Sequence, residues 1–153
     1  MQRLLQKSMM SDKLIIRQAL PAEYVLVADH YKICGYGGGL AQDDRVFVAV
    51  GEQIVGAVRI CFENGVDVLR GMYVKPEFQQ KGIGASMLAY LKDHIEMNGC
   101  YCLPYKHLER FYAKIGFAEI SIHNAPAFLA ARLEKYLTGG NREIIIMKVK
   151  DDI

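Results

Sequence analysis

No stretch of this chain approaches the roughly 18 consecutive apolar residues of a membrane-spanning helix, so no bilayer span is expected. The opening Met1-Gln2-Arg3-Leu4-Leu5-Gln6-Lys7 lacks an apolar core of signal-peptide length, and a cytoplasmic protein is the expectation. An excess of one charge is missing too. Nineteen basic against seventeen acidic residues give +2, which provides no global basic field for nucleic acid or an anionic membrane. Cysteine pairing is sparse: Cys34, Cys61, Cys100 and Cys102 form no C-x-x-C and no zinc-ligand spacing. No metal is expected, and all four read as reduced thiols, those in strands acting as small buried apolar groups. Repeats, low-complexity tracts and linkers are absent. A short tail over 1–12 and one domain over 13–150 are therefore expected. At 153 residues, with 52% hydrophobic and 24% charged, the chain is long enough and apolar enough to bury an ordinary core.

The most informative segment that is present runs from Leu69 to Ala85. An apolar strand ends at Pro76, a polar turn follows, and Gly82 and Gly84 open a helix with Met87, Leu88, Leu91 and Ile95 on one face. The first N–H groups of a helix lack internal partners and carry about half a positive charge between them. Glycines there let an anion approach the main chain closely. A phosphate site and a plain tight turn both fit this pattern. The P-loop does not, because Lys81 precedes Gly82 and no Ser or Thr follows in the magnesium position. The dinucleotide fingerprint also fails, since Met87 stands where its third glycine belongs, and a dinucleotide enzyme is disfavoured with it.

Elsewhere the pattern alternates between strands and helices. Strands are expected over 14–16, 46–50, 54–62, 66–74, 100–103 and 144–147. Asn64-Gly65 reads as a hairpin turn, because both residues tolerate positive φ. Helices are expected from Pro21 through Tyr31, from Gly82 to near Asn98, over 106–114, and over 126–137. The last carries Phe128, Leu129, Leu133 and Tyr136 on one stripe, which suits core packing better than a dimer contact or a substrate lid. The glycine-rich stretch Gly35–Gly39 reads as a flexible loop.

Three segments carry a family resemblance. Gln79-Gln80-Lys81-Gly82-Ile83-Gly84 matches the Q/R-x-x-G-x-G/A signature of the GNAT superfamily of N-acetyltransferases. Met72-Tyr73-Val74-Lys75-Pro76 resembles that family's hydrophobic-x-Val-x-Pro strand end, and Phe111-Tyr112-Ala113-Lys114-Ile115-Gly116-Phe117 its Phe-Tyr-x-x-x-Gly-Phe segment. The resemblance extends from about residue 13 to 150, with the specific motifs confined to 66–117. It implies an α/β (α+β) single-domain GNAT-like fold: a mixed, mostly antiparallel sheet of six to seven strands flanked by helices, with the helix near 126–137 an addition.

The resemblance also implies acetyl-CoA as co-substrate and direct attack by an amine in a ternary complex. Backbone N–H groups of the Met72-Tyr73-Val74 segment would hold the pantetheine arm and polarise the thioester carbonyl. Gln79, Gln80, Lys81, Gly82, Ile83, Gly84 and Ala85 would wrap the pyrophosphate. Tyr112 falls on the family's tyrosine and is the candidate general acid for the departing thiolate. An amine attacks only when neutral, so a base is needed as well. Asp67 is the candidate, with Glu109, His107 or a held water as weaker ones. One departure stands out: where the family often carries Asn-x-x-Ala, this chain has Tyr105 and Leu108. Tyr105 is then a replacement contact to the pantetheine arm or a gate to the acceptor site.

The acceptor is not legible beyond a primary amine, with a small amine or amino-acid-like molecule favoured over protein. Arg59 and Arg70, on neighbouring strands, fit either a carboxylate-binding cleft or plain strand-surface charge. A monomer and a homodimer are equally compatible with the pattern. A function of a different class also remains, a CoA-binding sensor without efficient catalysis, and amine-stimulated release of CoA separates the two.

Overall fold

Strand order explains the architecture. The computed structural model describes residues 13–95, 99–140 and 143–150, so the expected tail over 1–12 lies outside the described residues. Seven strands are ordered β1-β2-β3-β4-β5-β7-β6. They are β1 (Ile15–Gln18), β2 (Arg45–Val50), β3 (Ile54–Glu63), β4 (Val66–Val74), β5 (Cys100–Cys102), β6 (Phe117–Glu119) and β7 (Met147–Val149). Among the described residues four α-helices accompany them: α1 (Tyr24–Ile33), α2 (Ile83–Leu91), α3 (Glu109–Ala113) and α4 (Ala127–Thr138). The β4–β5 pair is parallel, while β1–β2, β2–β3, β5–β7 and β6–β7 are antiparallel. This is the mixed α/β fold expected.

The chain divides into two compact units. One runs to Ile60 and includes Gly71–Tyr90; the other includes Cys61–Arg70 and the chain from Leu91 onward. In the first, α1 packs Val27 and Tyr31 onto Val46, Val48 and Ala57. On the other face of β3, Gly56 leaves room for α2: a Cβ there would stand 2.7 Å from Met87 Sδ. Alternation along β3 puts Gly56 and Ala57 on opposite faces, so α1 and α2 cover opposite sides of this unit's sheet.

The entry to α1 is fixed by a charge pair. Arg17 grips Glu23 with both nitrogens, at 2.7 and 2.8 Å, and the Leu20 N–H donates to the same carboxylate at 2.8 Å. The Arg17 hydrogen bonds, with the Leu20 N–H second, hold the Glu23 carboxyl at about 2, against an ordinary 4.5. A depressed acid stabilises the fold above its ordinary pKa, and that contribution fades as pH falls through the depressed value. Glu23→Gln is therefore expected to lower the melting temperature above pH about 4.5, with the gap closing toward pH 2. Melting curves of both proteins across that range are the check.

In the second unit, α4 carries Leu129 and Leu133 into a core with Val68, Tyr101 and Ile146. Each such leucine contributes about 1.5–3 kcal/mol by burial, and Phe128 packs against the same core, whereas Tyr136, the last residue of the stripe, is 37% exposed. All four cysteines are free thiols, and Cys61, Cys100 and Cys102 are buried. Burial pushes the Cys102 thiol well above its ordinary pKa, and a thiol held protonated is inert.

Several boundaries differ from the sequence pattern: the helices expected from Pro21 and over 106–114 open as 3-10 turns at Pro21–Glu23 and Lys106–Leu108, which leaves α3 only five residues long. The α2 helix stops at Leu91 and tightens into a 3-10 turn over Lys92–His94, before extended backbone at Ile95. Asp93, His94 and β-branched Ile95 are weak helix formers, and they end it earlier than Asn98. The last strand begins at Met147 rather than residue 144. Ile145 N–H does bond Pro104 O at 3.1 Å, but Pro104 has no N–H to return, and only a lone Tyr105–Ile144 bridge forms there. The short β6 strand is an addition to the expected set.

Candidate functional site

The hairpin before β4 sets its register. Asn64 and Gly65 take φ of 49° and 87°, the double positive pair of a tight primed turn. From there β4 pairs with β5 through Asp67, Val68 and Leu69, and continues to Val74. The Asp67 N–H bonds Gly99 O at 2.9 Å, so odd-numbered residues at this end of β4 direct their N–H toward β5. At the far end the Lys75 N–H bonds Val55 O at 2.8 Å, so there the odd-numbered residues face β3. The alternation has slipped by one residue between the two ends. Gly71, at φ 67°, is where it slips. An extra residue with a left-handed glycine is the geometry of a β-bulge. Its consequence is that the N–H groups of Met72 and Val74 point away from β3.

Two residues of α1 hold this bulged segment. Tyr31 donates its hydroxyl to Gly71 O at 2.9 Å. His30 Nε2 lies 2.9 Å from Tyr73 O and donates to it. Burial pushes the His30 pKa down, only partly offset by the Tyr73 carbonyl, so the ring is neutral with its proton on Nε2. The Tyr73 ring stacks on Tyr36 at 4.7 Å, and Tyr36 meets Tyr31 edge-on at 4.8 Å. The Tyr73 side chain thus belongs to the aromatic packing around α1, and its N–H shares the Lys75 direction, toward β3.

After β4 the chain turns at Pro76–Phe78 and reaches the glycine turn. Gln79 Nε2 donates to Val74 O at 2.9 Å, which folds the turn back on the strand end. Gln80 and Gly82 adopt φ of 62° and 81°, bracketing Lys81, whose ammonium sits 5.6 Å from the Phe78 ring. A non-glycine residue held at positive φ costs about 1–2 kcal/mol and is found where a loop has a task. Gly82 O accepts from Ser86 N–H at 3.0 Å, so Gly82 caps α2 and the N–H groups of Ile83, Gly84 and Ala85 form its first turn. A Cβ built on Gly82 meets nothing within 4 Å. The turn therefore sets the first N–H groups of α2, which lack intrahelical partners, next to a glycine with open space beside it, a pattern that suits phosphate.

The structure reassigns Arg59 and the loop before β2. Arg59 is only 1% exposed. Its guanidinium pairs with Asp44 at 2.9 Å, donates to Tyr36 Oη at 2.7 Å and to Gly39 O, and lies 5.7 Å from the Tyr31 and Tyr36 rings. It is committed inside the protein and does not serve a ligand. The Gly35–Gly39 segment, expected to be a flexible loop, is pinned by this arginine and by Tyr36.

The remaining candidates lie in the second unit. Asp67 is half-buried near the hairpin end of β4. Tyr112 is 6% exposed, with its ring edge-on to Phe111 at 5.1 Å and to Phe117 at 6.1 Å. Tyr105 is stacked with His107 at 5.7 Å, and Glu109 pairs with Lys106 at 3.7 Å. Arg70 reaches Glu63 at 3.4 Å, and Arg132 takes the same carboxylate at 3.0 and 3.1 Å. Among the described residues no group of three or more His, Cys, Asp or Glu could hold a metal ion, and no helix is long and apolar enough to cross a membrane.

Over residues 42–119, just over half of the chain, the sequence matches the Acetyltransferase (GNAT) domain family. The chain belongs to the GNAT acetyltransferase family. The matched stretch contains the bulged β4, the glycine turn and the α3 tyrosine. No curated protein matches the GNAT chain at a significant level. Solved structures share its fold at low identity. The ribosomal-protein-S18-alanine N-acetyltransferase of Escherichia coli is 15% identical, with a TM-score of 0.63, covering 92% of this chain and 95% of that one. The Rv2747 structure from Mycobacterium tuberculosis, in complex with CoA and NLQ, is 16% identical, with a TM-score of 0.62 and coverage of 86% and 97%. N-acetylglutamate synthase from Neisseria gonorrhoeae, complexed with coenzyme A and N-acetyl-glutamate, is 17% identical, with a TM-score of 0.61. That match covers 87% of this chain and 34% of the synthase, so the chain spans about a third of it.

Proposed function

We propose that this GNAT chain transfers the acetyl group of acetyl-CoA to a primary amine by direct attack in a ternary complex. The observation that carries the reading is the slip of β4 at Gly71, which turns the Met72 and Val74 N–H groups away from β3. Those donors suit the amide and thioester oxygens of a pantetheine arm. The first turn of α2 suits the pyrophosphate, with Lys81 nearby as a countercharge. In this reading Gln79 and Tyr73 act by shaping the site, through the Val74 carbonyl and the Tyr36 stack.

The chemistry assigns roles in order. An amine of pKa about 10.4 is less than about one part in a thousand neutral at pH 7, so a base must remove its proton. Asp67, acting through a held water, is the proposed base. The amine nitrogen attacks the carbonyl carbon, the N–C bond forms, and the C–S bond breaks. Donors on the β4 edge stabilise the oxyanion between those events. The thiolate then takes a proton from Tyr112, the proposed general acid. A free thiol has a pKa near 8.5, so the acid is useful without being indispensable, and Tyr112→Phe is expected to slow kcat about 10- to 100-fold. Asp67→Asn is expected to lower kcat/KM most at low pH.

The test begins with binding. Acetyl-CoA at 100 times its Kd stabilises a native-only binder by about 2.7 kcal/mol, a shift of several degrees in melting temperature. Gly82→Ala adds backbone strain of about 1–2 kcal/mol but no clash within the protein, so it should fold and lose most of the shift. An unchanged shift in that variant would remove the pyrophosphate assignment. A shift with no amine-stimulated release of CoA would favour the sensor over the enzyme.

A further inference from the structure

We propose that Arg70 recognises a carboxylate on the acceptor, which makes the acceptor an amino acid or another small amine bearing a carboxylate. The proposal rests on the acetyl-transfer reading and adds the acceptor's chemical class to it.

Two strand arginines were open for this role. Arg59 is excluded by its burial and by Asp44, Gly39 and Tyr36, which occupy its guanidinium. Arg70 stands differently. Its side chain is 30% exposed, and one nitrogen touches Glu63 Oε1 at 3.4 Å, the long end of an ion pair. Glu63 does not depend on that contact. Arg132 holds both its oxygens, at 3.0 and 3.1 Å, in a fork-to-fork pair. The Arg132 guanidinium is further seated 5.6 Å from the Phe128 ring. Among the described residues two guanidinium groups therefore share one carboxylate, that of Glu63.

A guanidinium carries five N–H donors in a planar fork that matches a carboxylate bidentately. Arg70 uses one of them, at poor length, on a carboxylate that has a better partner. An incoming carboxylate can take the fork while Glu63 stays with Arg132, so little is lost in the exchange. Glu63 shows that a carboxylate fits beside Arg70; the ligand's would be the second. Position supports the role as well. Arg70 immediately precedes Gly71, where β4 slips, and Met72 is two residues on. One residue, Gly71, thus separates Arg70 from Met72 along β4.

The experiment compares standard L-amino acids with their decarboxylated amines, such as L-lysine with cadaverine and L-phenylalanine with phenethylamine, in a CoA-release assay. The carboxylated member of each accepted pair is expected to have the higher kcat/KM. Arg70→Gln is expected to raise its KM about 10- to 100-fold with kcat little changed, and to leave the matching amine unaffected. Arg70→Lys should recover part of the loss. The melting temperature of Arg70→Gln should stay close to that of the parent, whereas Arg132→Gln should lower it, because Arg132 carries the structural half of the cluster. Equal or better use of the decarboxylated amines, an equal effect of Arg70→Gln on both members, or turnover of no pair member while acetyl-CoA still raises the melting temperature would each overturn the proposal. Failure of acetyl-CoA to raise the melting temperature would instead overturn the acetyl-transfer reading beneath it.

Discussion

Asp44→Ala is expected to destabilise the fold by about 3–5 kcal/mol, because it strands a buried guanidinium without its carboxylate. Side-chain exposures are 1% for Arg59 and 7% for Asp44, so water cannot replace what is lost. Asp44 Oδ2 also accepts the Ala41 N–H at 2.9 Å, and its main-chain carbonyl accepts the Tyr24 hydroxyl. The carboxylate thus ties the segment before β2 to the sheet and to the arginine at once. A domain of this size has about 5–15 kcal/mol of stability in all, so one such change consumes a large share of it. Replacing both partners together, as Asp44→Leu with Arg59→Met, should cost less than Asp44→Ala alone, since no unpaired charge then remains. Urea denaturation of the three proteins measures both statements. A loss below about 1 kcal/mol for Asp44→Ala, the range of an exposed pair, would show that the pair is solvated.

Gly71→Ala is expected to cost about 2–5 kcal/mol, the sum of left-handed strain and overpacking, and to abolish acetyl-CoA binding with it. The added Cβ would stand 2.8 Å from Tyr31 Oη and 3.0 Å from Tyr36 Cε2. Neither ring can withdraw easily. Tyr31 is buried and bonded to Gly71 O, and Tyr36 is stacked on Tyr73 and bonded to Arg59. Relief has to come from the strand, by losing the positive φ, and that restores the regular alternation. The Met72 and Val74 N–H groups would then turn toward β3. The contrast with Gly82→Ala is informative, because that position has the same handedness and nothing within 4 Å. One variant should lose stability and binding together, the other chiefly binding. Thermal melts with and without acetyl-CoA separate them.

Local chemistry was easy to read in the sequence. Asn64-Gly65 fixed the hairpin because both residues accept positive φ, and β4 has both its expected ends at Val66 and Val74. The glycine turn was legible at Gly82 for the same reason, whereas the positive φ of Gln80 was not, because that residue type does not announce it. The Gly71 slip was half legible: a glycine in a strand permits a bulge, but only hydrogen bonds to Gly99 and Val55 reveal it. Long-range partners were invisible. Nothing in the spacing of α1 tells that His30 and Tyr31 take the carbonyls of Tyr73 and Gly71, some forty positions away. Arg59 misled for a related reason. Periodicity placed it on a strand face, and the face turned out to be covered by Tyr36 and the loop that Asp44 closes. The shift of β7 traces to Pro104, whose missing N–H breaks the ladder at a residue of another strand segment.

Amide hydrogen exchange of the parent protein, with and without saturating acetyl-CoA, tests the central claim most directly. The N–H groups of Met72 and Val74 and of Ile83, Gly84 and Ala85 are expected to exchange more slowly with the ligand, while those of Tyr73 and Lys75 change little. Protection confined to other segments, or none at these five amides, would contradict the use of the β4 edge and the α2 N-terminus for acetyl-CoA.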